Sequence, residues 1–233
     1  MLHGRLLAGL AARAVESEPG DDLRLARLTV DLFKAAPMEP VTVHAARVRD
    51  GRRVRTVGVS FVCAGVEVAR ATALLLRTGE EPDGAVWGAP AWEVPPPEEV
   101  APGPGRDEGV AAGNPDLRLV GGTALDAPVQ KRAWLRDTRP LVDGEALLPS
   151  VRAAIAADVA NPIANFSDTG LHFINADLTL VVARMPEGEW IGLEVTDRLS
   201  ADGISVGECA LHDTRGRFGH VAVCAVATPK FPR

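Results

Sequence analysis

Near the start of the chain, Leu6, Leu7, Leu10, Ala14 and Val15 fall on one face of a 3.6-residue repeat, which predicts a helix over residues 2–17. A polar loop, Ser17-Glu18-Pro19-Gly20-Asp21-Asp22, closes it. The period then shortens. Stretches near 24–35, 41–50, 52–63 and 66–77 read as strands. Asp50-Gly51 between the second and third is a tight-hairpin dipeptide, and Gly65 marks the next turn.

Residues 79–128 break the pattern. Pro95-Pro96-Pro97, Pro102-Gly103-Pro104-Gly105 and Asn114-Pro115 predict a linker or a long surface excursion. Beyond it the first pattern returns. Leu148, Val151, Ile155 and Val159 share one face of a helix over 148–160. A loop with Asn161-Pro162 and Asp168-Thr169-Gly170 follows, then strands near 171–184, 189–199, 203–212 and 217–228. A further strand candidate, 131–136, precedes the second helix. It has no counterpart ahead of the first, so the first unit is expected to lack its leading strand, or the chain to start late. The order predicts an α+β chain with an N-terminal unit (1–78), a linker (79–128) and a C-terminal unit (129–233). Both helices are largely apolar. That suits an antiparallel sheet wrapped around a long central helix, and two such sheets can join edge to edge.

Composition narrows the functional classes. At 46% hydrophobic and 24% charged, the chain is an ordinary globular one. No apolar run approaches the roughly 20 residues that span a bilayer. Arg5, Arg13, Glu16 and Glu18 interrupt the N-terminal stretch, unlike a signal peptide. A cytoplasmic chain without a membrane partner is expected. The net charge of −6, with no long basic segment, argues against nucleic acid. Cys63, Cys209 and Cys224 have no C-x-x-C spacing and read as reduced thiols. No Cys/His cluster has zinc spacing, so neither a metal nor a cofactor is expected.

Several stretches, in this order, carry a family likeness. They are His3-Gly4-Arg5-Leu6-Leu7-Ala8-Gly9-Leu10, Ala156-Ala157-Asp158, Phe173-Ile174-Asn175-Ala176-Asp177-Leu178-Thr179 and Glu189-Trp190-Ile191-Gly192-Leu193. The chain resembles the TesB-like acyl-CoA thioesterases (the acyl-CoA thioesterase II group), which have a double-hotdog fold. The resemblance implies hydrolysis of an acyl-CoA, or of an acyl-carrier thioester, to the free acid. It implies a water oriented and deprotonated by an Asp on the second helix, a Thr on the next strand and a Gln on the last. Aligning the turns puts Asp158 at the Asp position, Asn175 at the Thr position and Cys224 at the Gln position. It also implies that Gly4, opening the first helix, presents its N–H to the substrate, with His3 beside it. Exposed sheet edges of such proteins commonly pair, so a homo-oligomer is a further expectation.

The residues themselves bear on this chemistry. Asp158 lies among Ala156, Ala157, Val159 and Ala160, where desolvation raises a carboxyl toward general-base values. Asn175 offers both donor and acceptor to a water, whereas a thiol such as Cys224 offers weak versions of each. The Arg47, Arg49, Arg52, Arg53 and Arg55 cluster can meet phosphates or be solvated surface. Gly203-Ile204-Ser205-Val206-Gly207 matches G-x-S-x-G, but it lies in strand-like alternation without the turn and helix a nucleophile elbow needs. Asp158-Val159-Ala160-Asn161-Pro162-Ile163 is one residue too long for the hotdog hydratase signature and lacks its His. Three readings stay open: a thioesterase, a non-catalytic binder of an acyl thioester or other acyl ligand, and a different reaction on an acyl thioester in a biosynthetic pathway.

Overall fold

Gly4–Glu16 form helix α1, a run with a single β-branched residue, Val15, and no proline. It buries Leu7, Ala8, Ala11, Ala12 and Val15. Helix α2, Pro149–Asp158, opens on a proline in its first turn and packs along α1. A Cβ at Gly9 would lie 2.8 Å from Ile155 Cγ1, so this glycine lets the two helices approach.

The computed structural model describes residues 1–18, 22–103 and 115–228. Pro19-Gly20-Asp21 of the expected loop and residues 104–114 of the expected linker lie outside the described residues. The first strands are β1 (Leu23–Leu32), β2 (Val41–Asp50), β3 (Val54–Cys63) and β4 (Val66–Arg77). Then come β5 (Asp116–Leu119) and β6 (Arg132–Arg136), ahead of α2. A short helix α3 (Ala160–Asn165) leads to β7 (Phe166–Ser167), β8 (Gly170–Leu171), β9 (Phe173–Asn175) and β10 (Asp177–Val182). The chain continues through β11 (Ile191–Ala201), β12 (Ile204–Asp213) and β13 (Gly216–Ala227).

Eleven strands form one sheet in the order β2-β3-β4-β1-β10-β13-β12-β11-β6-β5, with β9 added on β13. The halves meet where β1 runs antiparallel to β10, with Thr29 opposite Thr179 and their hydroxyls 3.1 Å apart. Period-two alternation decides which side chains face the helices. On β3, Val57, Val59, Phe61 and Cys63 point inward and are buried. Both helices and the inner faces of both halves share one apolar core. Among the described residues, no helix is long and apolar enough to cross a membrane.

Three local expectations are corrected. First, the stretch read as linker supplies β5, which pairs with β6 at the sheet edge. Trp92, Val100 and Val120 from the same stretch pack with Trp134 and Trp190 in a second apolar cluster. Proline and glycine hid this return, because they punctuate short ordered segments as well as loops. Second, residues around Asn161-Pro162 form α3 where a loop is expected. Pro162 falls in the first turn, where its missing N–H costs no helical bond. Third, the long strand expected over 171–184 is broken at His172 and Ala176.

Candidate active site

Asp158 is the last residue of α2, and its carboxylate reaches the first turn of α1. A Cβ at Gly4 would stand 2.6 Å from Asp158 Oδ1 and 3.2 Å from Leu32 Cδ1, so only glycine fits between them. The Arg5 backbone N–H donates to the carboxylate. His3, the N-cap residue of α1, makes no side-chain capping bond. The cap therefore comes from the other helix: Asp158 fills a role that Ser, Thr or Asp usually fills in the same helix. Gly4, at the first helical position, has no acceptor for its N–H within the helix.

Asn175 completes the group. Its Nδ2 donates to Asp158 Oδ1 at 2.8 Å. The break at Ala176 is what turns it inward. Leu178 and Leu180 of β10 are fully buried, so Asp177, one residue away, faces outward. Without a break, Asn175 would face outward with Asp177. Instead the register against β13 slips by one residue, from Thr179↔Ala222 on β10 to Asn175↔Ala225 on β9. Such a bulge re-aims a side chain.

Two opposing influences act on Asp158. Burial pushes its carboxyl above the ordinary range, against the Asn175 bond, the positive influence of His3, and the Arg5 N–H and side chain. Burial prevails, and the carboxyl is a base closer to neutrality than an exposed aspartate.

Of the residues read from sequence, the fold brings Asp158, Asn175, Gly4 and His3 together. Cys224 is not among them. Val221, Val223 and Ala225 of β13 are buried, and Cys224 between them is exposed on the outer face. Its backbone N–H donates to Asp177 Oδ1 at 2.7 Å. Partial burial and then the Asp177 carboxylate push its thiol pKa up, away from a thiolate. The inward residue opposite Asn175 is Ala225. A slip of one residue exchanges the faces of a strand, and turn counting misses a slip that small.

The other motifs lie elsewhere. Ser205 is fully buried in β12 and donates to Asn165 Oδ1 at 2.7 Å, holding α3 to the sheet. Arg47 bonds Glu18 and Asp50, and Arg55 bonds Asp50. Glu18 follows α1, so this hairpin stands at the far end of that helix from Asp158. Two further charged residues that sequence reasoning missed connect to the group through Arg5. Asp137, just after β6, lies 3.4 Å from Arg5 Nη1, and Arg152 of α2 bears on it too. Charge alone did not single them out. No group of three or more His, Cys, Asp or Glu among the described residues could hold a metal ion.

Residues 1–76 match the acyl-CoA thioesterase N-terminal domain family, and residues 90–225 match the acyl-CoA thioesterase C-terminal domain family. No curated protein matches the chain. Several solved structures share its fold. The tesB protein of Mycobacterium avium subspecies paratuberculosis aligns at 16% identity over 98% of this chain and 88% of its own, with a TM-score of 0.73. An acyl-CoA thioesterase II of Mycobacterium marinum aligns at 18% identity over 97% and 91%, with a TM-score of 0.71. A hotdog-fold protein of unknown function from Alicyclobacillus acidocaldarius aligns at 19% identity over 98% and 88%, with a TM-score of 0.75. The fold is an α+β double hotdog.

Proposed function

The chain belongs to the acyl-CoA thioesterase family, a family of thioester hydrolases, and we propose that its own hydrolysis of acyl-CoA runs through a water activated by Asp158. The observation that carries this reading is the carboxylate itself. It is partly buried, raised in pKa, and pressed against the N-terminus of α1 at Gly4.

Ionised Asp158 takes a proton from a water as the water oxygen bonds to the thioester carbonyl carbon. The carbonyl electrons move to oxygen. That oxyanion is met by the N-terminal end of α1, foremost the Gly4 N–H, which has no helical acceptor. The oxyanion then collapses and the carbon–sulfur bond breaks. Coenzyme A leaves as a thiolate and takes the proton from Asp158. The products are the free acid and the thiol, and Asp158 is again ionised. Asn175 anchors Asp158 Oδ1 through Nδ2 and has its own carbonyl oxygen left to orient the water. With Ala225 opposite it on β13, that strand adds no polar group at this rung.

The test is thiol release from acetyl-, octanoyl- and palmitoyl-CoA, wild type beside Asp158→Asn, with the protein's own three cysteines as a control. Turnover by the wild type and a loss of roughly 100-fold or more in the variant are expected of a lost general base. Equal turnover by both would remove Asp158 from the mechanism. Binding without turnover in the wild type would leave an acyl-thioester binder.

A further inference from the structure

Three charged side chains of alternating sign meet at the N-terminus of α1. Asp158 accepts the Arg5 backbone N–H, and the Arg5 guanidinium adds favourable charge. Arg5 Nη1 lies 3.4 Å from Asp137 Oδ1, with side-chain exposures of 15% and 13%, so both are largely withdrawn from solvent. Asp137 also feels Arg152, which sits on the same helix as Asp158. The first turn of α1 is thereby tied both to the residue after β6, through the ion pair, and to the end of α2, through the bond to Asp158. A pair this enclosed needs its partner, because a buried charge left alone is costly.

We propose that Arg5 and Asp137 are a positioning pair for Asp158, in which the ion pair seats the first turn of α1 and its cation beside the carboxylate that activates water. This rests on the hydrolytic reading above. The groups facing Asp158 are His3 ahead of α1, Arg5 on α1 and the uncharged Asn175 on β9; those facing Asp137 are Arg5 and Arg152. The two members act on Asp158 with opposite sign. Arg5 favours its ionised form, and Asp137 offsets that cation.

The experiment uses the full chain with its aspartates labelled at the carboxyl carbon. The Asp158 resonance, assigned by its loss in Asp158→Asn, is titrated in wild type, Arg5→Gln and Asp137→Asn. The pH profile of kcat/KM on octanoyl-CoA is measured beside it. Arg5→Gln keeps the backbone N–H and leaves Asp137 facing Arg152. Its Asp158 titration is expected to rise by about half to one pH unit, and that of Asp137→Asn to fall by about as much. Below the acid limb, kcat/KM then changes about 3- to 10-fold, downward for Arg5→Gln and upward for Asp137→Asn. Arg5→Lys, which keeps the cation, is expected to titrate near wild type. Shifts of the same sign, or none, in folded protein overturn the pairing. If Asp137→Asn does not fold, an unmoved titration in Arg5→Gln overturns it alone. The two ideas separate cleanly. Titration shifts without thiol release keep the pair and remove the hydrolytic route, whereas thiol release without titration shifts does the reverse.

Discussion

Asn175 Nδ2 donates to Asp158 Oδ1 at 2.8 Å across the gap between β9 and the end of α2. The bond fixes one carboxylate oxygen, and the proposed mechanism needs the carboxylate held so that it can meet a water. Asn175→Ala removes the anchor and the amide oxygen together. We expect kcat on octanoyl-CoA to fall about 10- to 100-fold, the range for a hydrogen bond to a charged group, with KM much less affected. Asn175→Thr keeps a donor and is expected to retain more of the activity. An Asn175→Ala enzyme with unchanged kcat would show that the contact is structural.

That contact also marks how far the sequence could be read. The helices, the hairpin at Asp50-Gly51 and the strands of both halves followed from periodicity, because burial on one face imposes it. Asp158 stood out as a carboxylate among alanines. The bulge at Ala176 did not stand out. Asn175 and Asp177 are two polar residues at strand spacing, and alternation puts them on one face, whereas tertiary pairing splits them. β5 was hidden for a different reason: its four residues follow a proline-rich stretch and gain order only by pairing with β6. The Arg5–Asp137 contact spans 132 residues of chain, and no local pattern announces it.

Asp158 has its carboxyl raised by burial, which fixes the sign of its effect on stability. Between its ordinary value and its folded value the native state holds more protons than the unfolded one, so stability falls as pH rises through that window. Asp158→Asn removes the charge that burial penalises. It is expected to melt at the same or a higher temperature than wild type at pH 7.5, with the advantage shrinking toward pH 4. If Asp158 is the general base proposed above, the acid limb of wild-type kcat/KM is expected above the usual carboxylate range. Thermal melts and a pH–rate profile check both arms, and a melting temperature lowered most at high pH contradicts the first.

Gly4→Ala places a methyl 2.6 Å from Asp158 Oδ1 and 3.2 Å from Leu32 Cδ1. The carboxylate is the easier of the two to displace, since Leu32 belongs to the sheet. We expect activity to fall by 10-fold or more on the scale of a misplaced catalytic group, with a stability loss of only about 1–3 kcal/mol from overpacking. Thiol release and denaturant melts on the same preparation measure the two. A large loss of stability with normal specific activity in the folded fraction would assign Gly4 to packing alone.

Trp92 crosses the outer face of the second half over Gly192, where a Cβ would collide with its ring. It also stacks on His212 at 4.3 Å between centroids and tilts against Trp134 at 4.9 Å. Gly192→Val is expected to unseat Trp92 while leaving the helix face of the sheet intact. Tryptophan emission should shift to the red, and stability should fall by about 1–3 kcal/mol, as for other crowded sites. Unchanged emission would mean that the strap rests elsewhere.

Cys224 and Ala225 are neighbours on β13 with opposite duties. Cys224 is exposed on the outer face, and Ala225 is buried and stands opposite Asn175. If the catalytic group needed a thiol from this strand, Cys224→Ala would reduce turnover. The geometry instead predicts that Cys224→Ala keeps kcat/KM within about twofold, as expected of a surface change away from the site. It predicts that Cys224→Leu is tolerated and that Ala225→Leu is not. A leucine at 225 has nowhere to go but toward Asn175 and α3, which packs on this strand. It should cost about 1–3 kcal/mol by overpacking and lower kcat by displacing the Asn175 amide. Measuring kcat, KM and melting temperature for all three variants separates the faces. Loss of activity in Cys224→Ala with Ala225→Leu unaffected would reverse the assignment and put the functional side of the strand outward.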